Sequence, residues 1–477
     1  MRLAICVAIA VSTWIIPAPS GMTEPGWHVF GAFAATIASF VLRAMPMGAA
    51  VLLALVALAV TGYGAPPAVD FQHWTITWSV YKSLVAGFGD TTVWLVVAAF
   101  LIAGAVERTG FGRRIALSLV HKFGRSTLGL GYSVSAAELV LGPCVPSNTA
   151  RGGGIMAPIV LSLAEALDSH ADRDPDRAGR YLMLVGAHAN TITAAMFLTG
   201  MAANPLVASA AAQQLGVEFG WGTWALGALV PGLTALALLP ALLYWIERPT
   251  LANASAARNR AAQDLDGMGA WSRGQQIMGG VFVLLLGLWA TSKWHGMHSG
   301  LVAWIGVCAL LVTGTEKWKD IAGNSRAWDT LVWLGGLLAM ANLLKDTGVI
   351  GWFAAEIQTQ VSGLSSVTLV LVLGIVYFYS MYGFSMLTAH ISAMVAAFMG
   401  VAAVAGAPPM LTVAVLAYFS NLCACTTNYS TGPTIVYFGF GYVPAPTWFK
   451  IGAIMSVFHI ALWFSVGMLW WKLLGWW

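Results

Sequence analysis

Charge is what this chain has least of. Only 9% of its 477 residues are Asp, Glu, Lys or Arg, against about 25% in a soluble domain, while 58% are hydrophobic. A soluble globular protein is therefore excluded, and no stretch of the chain is polar enough to form a soluble domain. Nucleic-acid binding has no support either, because the basic residues are spread through loops rather than gathered in a patch. Cysteine is sparse. The five (Cys6, Cys144, Cys308, Cys423 and Cys425) lie in or beside apolar runs, odd in number and without a His partner at ligand spacing. That pattern excludes a disulfide framework and gives no metal site or cofactor. There is no His-Glu-x-x-His, no Gly-x-Ser-x-Gly, and no acid–His–nucleophile set within the apolar runs, so an intramembrane enzyme is a remote reading.

What is present reads as an all-α polytopic membrane protein, residues 1–477 forming one membrane unit. About eleven transmembrane helices are expected, at 3–17, 27–43, 46–62, 91–107, 180–198, 222–246, 276–292, 299–314, 328–345, 409–426 and 447–470. Several are short for a span of about 20 residues. Met1–Pro19 resembles a secretory signal, but its proline-broken end is a poor cleavage site, and it is expected to stay as the first helix. Arg108–Arg125 is amphipathic and basic, as an interfacial helix would be, with Gly348–Val361 as its counterpart. With the N-terminus inside, eighteen of the 23 Lys and Arg fall on one face. Lys82, Lys293, Lys345 and Lys472 fall on the other, and Arg151 is left within the apolar region. The positive-inside rule then puts the N-terminus in the cytoplasm and the C-terminus outside a cell inner (plasma) membrane. The Trp residues at crossing ends, Trp470, Trp471, Trp476 and Trp477 among them, read as interfacial anchors.

The stretch from Pro143 to Pro158 organises the rest. It separates Leu128–Leu141 from Ile155–Leu167, each enough for half a crossing, with two prolines, three consecutive glycines and Arg151 nearby. Unwound backbone at membrane depth survives only where protein or a watery cavity pairs it. A re-entrant hairpin over 127–167 meets that need, breaking at Pro146-Ser147-Asn148-Thr149. The N–H groups opening its second arm, with Arg151, suit an anion.

Asp90-Thr-Thr-Val-Trp-Leu95 returns as Asp329-Thr-Leu-Val-Trp-Leu334, an offset of 239 residues. The same offset carries Thr149-Ala150-Arg151 to Thr388-Ala389-His390. Five expected crossings between the copies make the repeats inverted: 27–246, and 276–473 with a second hairpin over 366–404 around Ser385 and Thr388. Each half also holds a broken helix, His188–Thr193 through Thr199-Gly200 to Pro205, and Ser420-Asn421 through Thr431-Gly432-Pro433. Paired broken elements are how secondary transporters build a midplane site. Chance likeness between apolar helices, and Ser or Thr bonding helix carbonyls, are the plainer readings. Four clusters in paired positions favour a pathway. Glu107 and Asp346 end crossings; Glu138 faces water or pairs with a cation; His188 and Asn190 line the cavity or fill the core.

These residues resemble the divalent anion/sodium symporter family. Pro146-Ser-Asn-Thr-Ala-Arg-Gly-Gly-Gly154, Tyr429-Ser-Thr-Gly-Pro433 and Tyr437-Phe-Gly-Phe-Gly-Tyr-Val443 are similar to its citrate/succinate antiporter and plastidic 2-oxoglutarate/malate translocator branch. The resemblance covers nearly the whole chain. It implies a homodimer, an elevator-type movement, and substrate contacts at Ser147, Asn148, Thr149, Thr199, Gly200, Thr431, Gly432 and Pro433. In the second hairpin only Thr388 matches, since Met386-Leu387 replace Ser-Asn, with Ser385 a substitute. It leaves room for a residual Na⁺ site near Ser147, Asn148 and Gly200, though Na⁺ is not favoured.

Arg151 and His390, equivalent by repeat, would be built-in cations replacing coupled Na⁺, making the chain an exchanger of malate, succinate, 2-oxoglutarate, citrate or tartrate. The plainer reading is that Arg151 caps hairpin carbonyls and His390 is an interior histidine. A Na⁺-coupled dicarboxylate or sulfate symporter is the alternative, and an anion channel a remote one.

Overall fold

The computed structural model describes residues 1–62, 78–143, 145–361 and 363–477; Cys144 lies outside them. The first half runs α1 (Arg2–Ile15), α2 (Glu24–Leu42), α3 (Met47–Thr61), α4 (Trp78–Ala86), α5 (Thr91–Thr109), α6 (Phe111–Phe123), α7 (Thr127–Leu141), α8 (Ala157–Ala166), α9 (Gly179–Met196), α10 (Asn204–Leu215), α11 (Trp221–Ile246) and α12 (Ser255–Gly267). The second half runs α13 (Arg273–Ala290), α14 (Ser292–His295), α15 (Ser299–Val312), α16 (Trp318–Ala322), α17 (Ser325–Asp346), α18 (Val349–Val361), α19 (Ser366–Ser380), α20 (Leu387–Val404), α21 (Pro409–Leu422), α22 (Gly432–Gly439), α23 (Ala445–Leu462) and α24 (Met468–Leu473). The protein is all-α. Among the described residues the only bridge outside helices pairs Ser126 with Asn253.

Local chemistry sets the boundaries. Asp90 starts α5 by accepting the Thr92 N–H at 2.7 Å, and Gly110, at φ 68°, ends it. Ser126 and Ser365 cap α7 and α19 through the third backbone N–H, an N-cap exchange of an orphan donor for a hydroxyl acceptor. The basic stretch expected at the interface forms α6, whose polar face carries Arg113 and Lys122.

Helices fall on all eleven expected spans, yet the number of crossings is not set by length and composition. Among the described residues, eight helical stretches are long and apolar enough to cross a bilayer. Two of them, Ser366–Gly383 and Leu387–Val404, are the arms expected to form the second hairpin. Conversely α1, α3 and α15, with 14 to 15 residues, fall short of a full span at 1.5 Å per residue.

Packing places two broken elements against one core. α7 and α8 both lie on α9, and α19 and α20 both lie on α21, while α9 and α21 pack on each other. α17 lies against α3 and α5. Its approach is close: a Cβ on Gly87 would stand 2.1 Å from the Gly335 carbonyl. α12 spans α6 and α8 outside the apolar region.

Candidate functional site

Between α7 and α8 the chain leaves regular helix at Pro143, turns through Ser147 and Asn148, and re-enters as a π-helix over Thr149–Met156. The wider π turn and the glycines Gly152–Gly154 let neighbouring chains close in. Asn190 Nδ2 lies where a Cβ on Gly152 would be 2.6 Å away, and Pro433 presses on the same side at 3.1 Å. Gly432 is equally committed, since its Cβ would stand 2.3 Å from Thr149 Oγ1.

The first tip is tied to the second half of the chain. Asn148 donates from Nδ2 to Thr431 Oγ1 at 2.8 Å, and Ser147 Oγ accepts the Ala150 N–H at 3.1 Å. One residue earlier, the Ser430 carbonyl accepts the Leu387 N–H at 2.9 Å. The Ser430–Thr431 segment therefore touches both tips. Ser147, Asn148, Thr149, Thr431, Gly432 and Pro433 come together, with Thr199 and Gly200 under the first tip. Thr199 Oγ1 donates to the Pro143 carbonyl at 2.6 Å and accepts the Trp221 indole N–H at 2.9 Å. Trp221 in turn stacks on Trp289 of α13, with centroids 5.0 Å apart and planes 18° from parallel.

Ser385 goes elsewhere. Its hydroxyl donates to the Val41 carbonyl at the end of α2, at 3.1 Å. Thr388 is half-buried in the first turn of α20, and its carbonyl accepts the Ser392 hydroxyl at 2.7 Å.

Arg151 is fully buried and points into the neck of its own hairpin rather than toward the tip. Its Nε donates to Glu138 Oε2 at 2.7 Å, its Nη1 to the carbonyls of Val145 and Gly200 at 2.9 and 3.0 Å, and its Nη2 to Thr193 Oγ1 at 3.2 Å. This corrects the expectation of an unmatched cation: Glu138, also fully buried, cancels the charge, and the fork holds the hairpin shut. His390 is likewise buried. Its Nε2 lies 3.1 Å from the Tyr377 carbonyl, which only accepts, so Nε2 carries a proton, while its buried Nδ1 has no hydrogen-bond partner among the described residues. Ser380 Oγ is 2.8 Å from the same nitrogen, and the rings of Tyr377 and Phe384 flank the imidazole at 4.4 and 5.2 Å. The 239-residue offset carries Glu138 and Arg151 onto Tyr377 and His390, so both equivalent pairs touch.

The Na⁺ implied by the family resemblance does not fit near Gly200. The carbonyls of Val145 and Gly200 are already held by the Arg151 guanidinium, which fills the space a second cation would need there. Met386 and Leu387 bring no side-chain oxygen to the second tip.

A cavity of about 980 Å³ opens beside the first tip, with Ser147, Thr149, Gly153 and Gly154 on its inner wall. Its mouth carries Arg108, Arg113, Arg260 and Arg326. Arg108 pairs with Glu316, Arg326 with Glu107 at 2.8 Å, and Arg113 and Arg260 share Asp264 at 3.2 Å each. Reading residues singly missed this mouth, because its arginines come from four separate segments; their common face in the charge count was the available signal. Glu138, Asn190 and Thr193 were visible as polar residues in apolar helices, but not their convergence on Arg151.

The whole chain, residues 1–477, matches the family described as sodium:sulfate symporter transmembrane region. Over 476 residues it is 42% identical to the candidate malate transporter YflS of Bacillus subtilis, covering 100% of this chain and 96% of that one. It is 38% identical to the chloroplastic dicarboxylate transporter 1 of Spinacia oleracea, covering 99% and 81%. It is 34% identical to the citrate/succinate antiporter of Escherichia coli K12, covering 97% and 96%. The YdaH transporter of Alcanivorax borkumensis shares the fold at a TM-score of 0.58 and 16% identity, covering 95% of this chain and 99% of that one. On the full-length match and these identities, the chain belongs to the sodium:sulfate symporter family of polytopic membrane transporters.

Proposed function

We propose that the protein exchanges small di- and tricarboxylates across the inner membrane, binding them between the two hairpin tips. The observation that carries this reading is a first tip whose Ser147 and Thr149 line a cavity with an arginine-rich mouth, while Asn148 between them is held by Thr431 of the second half. Hydroxyl, amide and backbone N–H donors suit carboxylate oxygens, and the names of the relatives, dicarboxylate transporter and citrate/succinate antiporter, support the same substrate class. With the basic mouth in the cytoplasm, this arrangement is the inward-open one. An elevator-type movement of the hairpins within a homodimer belongs to the same proposal, and contacts such as Ser385 to Val41 are those it would break.

Exchange rather than Na⁺-coupled symport is supported by Arg151, whose guanidinium holds the oxygens a Na⁺ would need. The family's description favours the second reading, symport of sulfate or a dicarboxylate with Na⁺. Because Glu138 cancels Arg151, the obstacle to an empty return lies in desolvated tip donors left without an acceptor, not in net charge. Counterflow decides between the two. Purified protein in liposomes is expected to take up labelled succinate only when preloaded with an unlabelled dicarboxylate, equally in Na⁺ and K⁺. Strong Na⁺-driven uptake into empty vesicles would overturn exchange.

A further inference from the structure

Glu138 lies on α7, on the hairpin's descending arm, and is the only acid that reaches Arg151 among the described residues. Both side chains are 0% exposed. Removing one member of such a pair leaves a buried charge unmatched, so charge, as well as shape, is fixed here. The Glu138 carboxylate also accepts Asn190 Nδ2 at 3.0 Å and the Thr193 hydroxyl at 3.3 Å. Asn190 Nδ2 lies 3.3 Å from the Asn148 carbonyl, and Asn148 holds Thr431. One buried chain of contacts thus runs from the neck to the tip that lines the cavity. The equivalent pair in the second hairpin, Tyr377 and His390, brings no formal charge when the imidazole is neutral. In that state the two necks together have net charge zero.

We propose that Glu138 is a positioning residue that sets the carrier's preference between dianionic and trianionic carboxylates. It does so by cancelling Arg151 and fixing Asn190 against the tip. The proposal rests on the carboxylate reading above. With the carboxylate present, a trianion gains nothing over a dianion from the neck. Without it, Arg151 attracts the extra negative charge across a poorly screened interior. A unit charge about 10 Å from the substrate, at an effective dielectric of about 20, shifts the ratio by on the order of tenfold.

The test compares citrate with succinate as competitors of labelled succinate counterflow, at a pH where citrate is fully ionised. Wild type sets the reference ratio. Glu138→Gln, which keeps an acceptor for Arg151 but drops the charge, is expected to raise the citrate-to-succinate preference about tenfold. Glu138→Asp is expected to keep the wild-type ratio, and Glu138→Gln combined with Arg151→Gln to return toward it. A purely structural strut would alter rates and leave the ratio where it was. If Glu138→Gln does not fold, Arg151→Gln, which leaves net charge −1, must move the ratio the opposite way. An unchanged ratio in a variant that still exchanges overturns this inference alone. A wild-type protein that moves neither acid overturns the carboxylate reading and this inference with it.

Discussion

Replacing Gly432 by alanine tests the joint between the first tip and α22. The added Cβ would stand 2.3 Å from Thr149 Oγ1, 2.6 Å from its Cγ2 and 2.9 Å from its Cβ. Rotating Thr149 about χ1 relieves the first two contacts but not the third, so backbone must shift. Overpacking of this kind costs about 1–3 kcal/mol. Parting the tip from α22 also lengthens the 2.8 Å Asn148–Thr431 hydrogen bond, worth about 1 kcal/mol. The sum, roughly 2–4 kcal/mol, corresponds to a rise in succinate KM of about 30- to 1000-fold. Counterflow kinetics measure the KM, and thermal unfolding in detergent measures the strain. Gly154→Ala is the control: it lies in the glycine run of the first tip, on the other side of the joint, its Cβ would meet nothing within 4 Å, and it should stay within about twofold of wild type. Thr149→Ala should recover part of the lost stability of Gly432→Ala. A Gly432→Ala protein with unchanged KM and melting temperature, or one that shows no coupling to Thr149, would refute the geometry.

Other expectations follow from the same contacts. Arg151→Ala leaves the Glu138 carboxylate buried and unmatched, and should cost about 3–5 kcal/mol of stability, read as a large fall in melting temperature. Arg151→Lys should recover little, because one ammonium cannot span Glu138, Val145, Gly200 and Thr193 together. Gly87→Ala sets a methyl group 2.1 Å from the backbone carbonyl of Gly335; little folded protein should be recovered, and a normal yield with an unshifted melting temperature would show that α17 can move aside. Arg113→Gln with Arg260→Gln should raise KM several-fold with Vmax kept, and flatten its dependence on ionic strength, since exposed charges steer rather than hold.

Much of this was legible in the residues. Pro143 and Pro146 with the small polar Ser147 and Asn148 interrupt the apolar helix, so a break in the run was readable from local chemistry alone, although the glycines after it re-enter helix as a π turn. The contact of Asn148 with Thr431 was foreshadowed by Thr431-Gly432-Pro433, which breaks the second half in the same way. The direction of Arg151 was not legible. A guanidinium thirteen residues from Glu138 can reach either the tip or the neck, and the choice depends on where α9 brings Asn190, Thr193 and the Gly200 carbonyl. Ser385 shows the same limit, because its partner is a carbonyl of α2, which no local pattern marks. Span number was hard for a different reason: the second hairpin's arms of 15 and 18 residues and short spans of 14 to 15 overlap in length.

The stacked indoles of Trp221 and Trp289 have a spectroscopic consequence. One is anchored to the break under the first tip through Thr199, and the other belongs to α13, whose indole N–H is held by the Ser299 carbonyl at 3.1 Å. Two nearly parallel chromophores 5.0 Å apart couple their electronic transitions, and that coupling weakens steeply as they slide apart. Any displacement of α11 past α13 would therefore be written in the near-ultraviolet circular dichroism of the unlabelled protein, with Trp289→Phe as the blank.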